Sequence, residues 1–216
     1  MKNTEPFWHS RRLYWVDALL IILFLGMVGY AVAVRYIGFL NPSGVEYVEA
    51  NYGADINDVA ETYGYQASFL KALCMLESGG RKHIKPRFEK HIYNALKHLR
   101  DRGTGTYETI TAEQLSNASD EALKNLASSW GPFQLMGYKC LQLGIQVKDL
   151  RGPRSVHWAM KWIDINYGYL LKAGRYDDAF HVHNTGQVMR GRSHTHDPNY
   201  IRNGFKYMKE FDGKRK

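Results

Sequence analysis

Between Phe69 and Glu77 the apolar positions recur at helical spacing. Residues 69, 70, 73, 74 and 77 share one face; four are apolar or thiol and the fifth is a carboxylate. Gly79-Gly80 follows as a stop signal. The pattern predicts a helix over Ala67–Glu77, preceded by one over Asp55–Tyr63, with the break near Gly64. Ile92, Leu96 and Leu99 line one side of a helix expected over Glu89–Arg100. Residues 101–117 are polar with Gly and Thr and read as a loop or a small β element. Ser119 is placed to cap a helix through Leu126, and another helix is expected over Gln134–Leu143.

The longest helix is expected over Val156–Lys172. Val156, Ala159, Met160, Ile163, Tyr167, Leu170 and Leu171 hold one face, and Trp158, Trp162, Ile165 and Tyr169 hold a second. A helix apolar on two sides belongs in the middle of a domain. Asp197 followed by Pro198 marks the start of a final helix. The fold class is therefore mostly α.

A different pattern precedes these elements. Ala18–Val34 is an uninterrupted run of apolar residues and glycine, at the lower edge of the roughly 17 to 25 residues that span a bilayer. Tyr14, Trp15 and Tyr36 flank it as interfacial aromatics. Lys2, Arg11 and Arg12 precede it and Arg35 alone follows closely, which puts the N-terminus inside and the rest of the chain outside. A cleavable signal peptide is the competing reading, since Ala31-Val32-Ala33 fits a small-residue cleavage site. The length of the run favours an uncleaved anchor. The expected organisation is a cytoplasmic N-terminus over 1–16, a transmembrane anchor or uncleaved signal over 17–36, a linker or lead-in over 37–54 and one catalytic domain over 55–216.

Charge adds one point. Without residues 1–35 the chain keeps 25 basic against 19 acidic side chains, which suits an anionic partner. No Arg/Lys-rich recognition helix or other nucleic-acid motif is present, so nucleic acid is not expected. Cys74 and Cys140 would lie outside the cytoplasm, where a disulfide is permitted but not compelled; burial of Cys74 as a small apolar residue stands equally.

The chemistry centres on Glu77. A carboxylate on the apolar side of a helix C-terminus feels desolvation and the negative end of the helix dipole, and both favour its protonated form. A general acid working near neutral pH requires that form. The plainer alternative is a solvated Glu at a frayed helix end. His181-x-His183 and His194-x-His196 would place imidazole pairs on one side of extended chain, a zinc-like pattern. With no HExxH motif, neither metal nor cofactor is assigned.

Several segments together resemble a family. Leu70–Gly80 (LKALCMLESGG) resembles the catalytic-Glu helix of lysozyme-like lytic transglycosylases and goose-type lysozymes, where the acid is followed by Ser. Ser128–Gly137 (SSWGPFQLMG) resembles their Gly-Leu-Met-Gln segment, with Gln134 at the Gln. Ala179–Gly186 (AFHVHNTG) resembles their Ala-Tyr-Asn-Ala-Gly segment, with Asn184 at the Asn, and Tyr200 falls where the family places a Tyr near the last helix. Phe88–Tyr93 (FEKHIY) resembles the Phe-Glu-Arg-His-x-Phe motif of phage-type N-acetylmuramidases, which also carry a Ser-Trp-Gly-x-Phe-Gln-x-Met-Gly segment. The resemblance covers most of residues 55–211. It departs at His183, which replaces the usual Tyr, and at Phe180-His181-Val182, which lengthens its segment.

The resemblance implies an α+β lysozyme-like domain on the periplasmic side of a bacterial inner membrane, held by a single-pass helix. It implies peptidoglycan as the partner and cleavage of the β-1,4 bond between N-acetylmuramic acid and N-acetylglucosamine. Glu77 would be the general acid and Glu89 the candidate second carboxylate. Ser78, Ser129, Gln134, Asn184 and Tyr200 would bind substrate, and Trp130, Phe133, Tyr138 and Tyr200 offer faces for sugar stacking. A one-acid route is also open, in which the muramyl acetamido group assists. Water would then leave a reducing end, making the chain a muramidase, and the sugar's own 6-hydroxyl would leave a 1,6-anhydro end, making it a lytic transglycosylase. The rival classes are a His-rich metal-binding module and a wall-binding module without catalysis.

Overall fold

The computed structural model describes residues 17–32, 43–189 and 194–213. The chain divides into two compact units, Met1–Ser43 and Gly44–Lys216. In the first, residues 17–32 form helix α1, and its apolar side chains from Leu19 to Val32 are exposed. Among the described residues no helix is long and apolar enough to cross a membrane. The expected anchor is described only over 17–32; residues 33–36 and the expected cytoplasmic segment 1–16 lie outside the described residues.

The second unit is mostly helical. It opens with α2 (Gly44–Tyr63), so the lead-in expected to run to residue 54 is helical from Gly44. Val45, Val48, Ile56, Val59 and Ala60 are buried along it, and their spacing continues one apolar face upstream of Asp55. Next, α3 (Ala67–Ser78) is buried at every position from Ala67 to Cys74 and packs against α2 and the last helix of the chain. Phe69 stacks on Tyr176 and lies 4.6 Å from the Phe180 ring. Lys71, buried, meets both carboxylate oxygens of Glu49 at 2.8 and 2.9 Å and fastens α3 to α2.

Two glycines end α3 and turn the chain back over α2. Gly79 sits in the left-handed region (φ 59°) and returns its N–H to the Met75 carbonyl. Gly80 is also left-handed, and a Cβ there would run into the backbone nitrogen of Val48. Only glycine lets the chain pass so close over α2. Asn51 then donates to the Gly80 carbonyl at 2.8 Å and Tyr52 to the Arg81 carbonyl at 3.1 Å. The segment leaving Glu77 is thereby tied to α2.

The chain continues through β1 (Arg87–Phe88), α4 (Lys90–Arg102), a hairpin of β2 (Thr106–Tyr107) and β3 (Ile110–Thr111), α5 (Ala112–Leu115) and α6 (Asp120–Leu126). Ser119 caps α6 as expected, accepting the Ala122 N–H at 3.1 Å. Strands β4 (Ser128–Trp130) and β5 (Leu135–Met136) form a second hairpin, and β1 adds to it antiparallel with Phe88 opposite Ser128. The helix expected over Gln134–Leu143 is corrected here: Gln134 is left-handed (φ 47°), Leu135–Met136 pair with β4, and only Lys139–Leu143 (α7) is helical.

A short 3₁₀ helix (Val147–Leu150) leads into α8 (Ser155–Lys172), then α9 (Tyr176–Thr185) and α10 (Tyr200–Gly213). With 18 residues α8 is shorter than the 20-residue α2, against expectation, and its backbone breaks helical geometry at Tyr167 (φ −148°). Its second face is not wholly buried, since Ile165 and Tyr169 are exposed. The expected start at Asp197-Pro198 is a turn, in which Asp197 accepts the Asn199 N–H at 2.8 Å before α10 begins.

Candidate active site

Glu77 is the penultimate residue of α3, and its side chain keeps 17 % exposure. The helix carries it out of the core to a place where solvent reaches it. Two groups distant in sequence converge on it. The Tyr200 hydroxyl, from the first residue of α10, donates to Glu77 Oε1. His183, from α9, stands with Nε2 at 3.9 Å from the same oxygen. Gly204 allows this approach of α10, since a Cβ there would lie 2.6 Å from the Phe180 ring.

His183 is a buried junction among four elements. Its Nε2 lies 3.1 Å from the Phe133 carbonyl, which can only accept, so Nε2 carries the proton. Nδ1 then accepts from the Tyr167 hydroxyl at 2.6 Å. Burial lowers the imidazole's pKa although the Glu77 charge opposes this, so the neutral form is favoured. Burial, reinforced by the Glu77 charge, raises the hydroxyls of Tyr167 and Tyr200 well above the usual tyrosine range. Both therefore stay protonated donors. The apolar pattern marks Tyr167, at the break in α8, only as core, and spacing carries no sign of its bond to His183.

The β4–β5 hairpin turns through Gly131-Pro132-Phe133-Gln134. Ser129 donates to Gln134 Oε1 at 2.7 Å, and Gln134 Nε2 donates to the Gly131 carbonyl at 2.9 Å. These two expected substrate-binding side chains thus bond within the hairpin and hold its turn, whose Phe133 carbonyl meets His183. Ser78, also expected to bind substrate, turns inward: its hydroxyl donates to the Cys74 carbonyl at 2.7 Å and accepts the Gly80 N–H at 3.3 Å. That is the ordinary behaviour of serine at a helix end. Asn184 accepts the His196 N–H at 2.8 Å and ties α9 to the segment before α10.

Glu89 directly follows β1. It is the N-cap residue of α4, its N–H bonds to the Ala127 carbonyl at 2.9 Å, and its carboxylate pairs with Arg87 at 2.8 Å. Glu77 and Tyr200 are in contact, then, whereas Glu89 is held by its own cation. The four expected stacking residues, Trp130, Phe133, Tyr138 and Tyr200, are all buried, and Tyr138 spends its hydroxyl on Glu108 at 2.5 Å. Trp130 donates to the Asn125 carbonyl at 2.8 Å, and its ring lies under the Arg151 guanidinium.

The His181–His183 pair does not form as expected. Residues 176–185 are helical, so His181 and His183, two apart, leave the helix in divergent directions. Among the described residues no group of three or more His, Cys, Asp or Glu side chains is arranged to hold a metal ion. Cys74 and Cys140 are both buried free thiols, pushed by burial up to about 12. Comparison with known protein families, with curated proteins and with solved structures found no match.

Proposed function

We propose that this chain is a peptidoglycan glycosidase that cuts the β-1,4 bond between N-acetylmuramic acid and N-acetylglucosamine, with Glu77 as general acid. What carries the reading is one arrangement. A partly exposed carboxylate at the end of a buried helix accepts a hydrogen bond from a buried tyrosine and has a buried histidine beside it. Glu77 and Asn184 come from stretches whose residues resemble lysozyme-like enzymes, Tyr200 falls where that family places a Tyr, and a lysozyme-like α+β domain is part of the proposal.

Glycosidic cleavage needs a proton delivered to the leaving oxygen and stabilisation of the oxocarbenium-like transition state. Glu77 delivers the proton. Tyr200 holds one carboxylate oxygen, so the other is the one directed to substrate. His183, neutral and fixed from both sides, positions the hairpin turn relative to Glu77 and adds no competing acid. Hydrolysis with Glu89 as the second carboxylate gives reducing ends. The Glu89–Arg87 pair favours a second reading, since the Glu89 carboxylate is engaged by a neighbouring cation. In that reading Glu77 acts alone with the substrate's acetamido group, and attack by the sugar's own 6-hydroxyl gives a 1,6-anhydro end where attack by water gives a reducing end.

The membrane anchor and the periplasmic placement belong to the proposal as well. Their support is the apolar run 18–34, the positive residues before it, and the exposed apolar side chains of α1. The test is to incubate the purified full chain with peptidoglycan and weigh the released muropeptides. Reducing ends identify a muramidase and 1,6-anhydro ends a lytic transglycosylase. No release sinks both.

A further inference from the structure

A cleft of about 820 Å³ is lined in part by the chain segment that follows Glu77. One wall is the segment that leaves Glu77, with Lys82, His83 and Lys85; the opposite walls are the turn of the β4–β5 hairpin, including Trp130, and the loop that carries Arg151. The middle of α2 closes it with Asp55, the one carboxylate among its lining residues. Lys82, Lys85 and Arg151 are exposed, and none of them pairs with an acidic group among the described residues. Arg151 is nonetheless placed: its guanidinium lies 4.9 Å from the centroid of the Trp130 ring, and that ring is pinned through Asn125. Gly131 makes the close fit possible, since a Cβ there would run into the Leu150 carbonyl.

Three cations without acidic partners against one carboxylate make the cleft a receptor for anions. In a glycan of N-acetylated sugars whose lactyl groups are amide-linked, negative charge resides on the carboxylates of the attached peptides. We propose that this cleft binds the peptide carboxylates of the glycan substrate, so that the chain acts on peptide-bearing strands and poorly on stripped ones. The inference rests on the glycosidase reading. Lys82 follows Glu77 by five residues, which puts their Cα atoms within about 18 Å; an extended tetrapeptide spans roughly 13 Å, and the lysine's four-carbon stem covers the remainder. The aromatic floor of Trp130 and Tyr52 and the polar groups of Asn51 and Ser155 suit a peptide backbone running along the cleft.

The test compares soluble, uncross-linked glycan strands from one source, with and without their peptides, using the full chain and its Lys82→Gln/Lys85→Gln variant. Both lysines are exposed, so the variant keeps the fold. Each exposed charge pairing is worth a factor of about two to five, so the variant raises KM on peptide-bearing strands about tenfold. Its kcat and its rate on stripped strands stay unchanged. Adding Arg151→Gln raises KM further. Equal wild-type rates on the two substrates, or a variant indistinguishable from wild type, overturn the inference and leave the glycosidase reading standing. Cleavage of neither substrate overturns the glycosidase reading and this inference with it.

Discussion

Replacing Tyr200 by Phe removes one oxygen atom and leaves the ring in its edge-on packing against Phe180, 6.3 Å between centroids. What is lost is the bond to Glu77 Oε1. A hydrogen bond to a carboxyl oxygen contributes about 0.5–1.5 kcal/mol when the acid is protonated and about 1.5–3 kcal/mol when it is charged. Tyr200 is buried, but the 17 % exposure of the Glu77 side chain lets water replace part of the loss. The expected destabilisation is therefore about 1–2 kcal/mol, read from urea unfolding midpoints at constant m. Freed from Tyr200, Glu77 samples rotamers that do not face substrate, and kcat on peptidoglycan falls about tenfold, the equivalent of about 1.4 kcal/mol. KM stays unchanged because no contact with substrate is removed. The hydroxyl acts through Glu77, so the same substitution in a Glu77→Ala background costs less than about 0.5 kcal/mol. A Tyr200→Phe protein as stable as wild type refutes the reasoning, as does an equal loss with and without Glu77.

Gly204→Ala pushes a methyl within 2.6–2.9 Å of three Phe180 ring carbons; overpacking of this kind costs about 1–3 kcal/mol and lowers Tm by several degrees, and an unchanged Tm contradicts the packing of α10. Burial holds both thiols at about 12, so a thiol reagent at pH 8 labels neither cysteine in the native chain and both in denaturant; rapid native labelling of Cys74 contradicts its burial in α3. Burial depresses His183, so as pH falls the unfolded chain takes up that proton before the folded one does. Its contribution to stability is thus lost as pH drops below the ordinary histidine value of about 6.5, with a slope of at most about 1.4 kcal/mol per pH unit. His183→Gln removes that slope in urea titrations between pH 5 and 7.5, and identical pH profiles for variant and wild type contradict the neutral junction.

The mostly helical character of the chain was legible because α3, α4, α6 and α8 each repeat their apolar residues at helical spacing, and α3, α4 and α6 carry recognisable caps. The upstream half of α2 was hidden by Asn51 and Gly53, weak helix formers that are overruled when Val45 and Val48 are buried. Phe133–Met136 is too short an apolar run to tell strand from helix, and the left-handed Gln134 decides it. At the candidate site, the position of Glu77 on its helix followed from spacing alone. Its partners did not, because Tyr200 lies 123 residues away and only the packing of α10 on α3 brings them together. Ser78, Ser129 and Gln134 illustrate the opposite limit. Polar side chains beside turns and helix ends bond to what is nearest, and no spacing rule separates that from ligand binding. His183 read as a departure from a motif, and its role as a junction appears only with Tyr167 and Phe133 in place.

The most direct measurement is the rate of glycan cleavage by Glu77→Gln beside wild type, with unfolding midpoints showing that both are folded. Glutamine keeps the shape and an oxygen for Tyr200 but has no proton to give. Loss of a general acid lowers the rate by about 10²–10⁴-fold, and a fall in that range with KM little changed is the predicted result. A folded Glu77→Gln protein that cleaves within a few-fold of wild type would contradict the assignment of Glu77 as the acid.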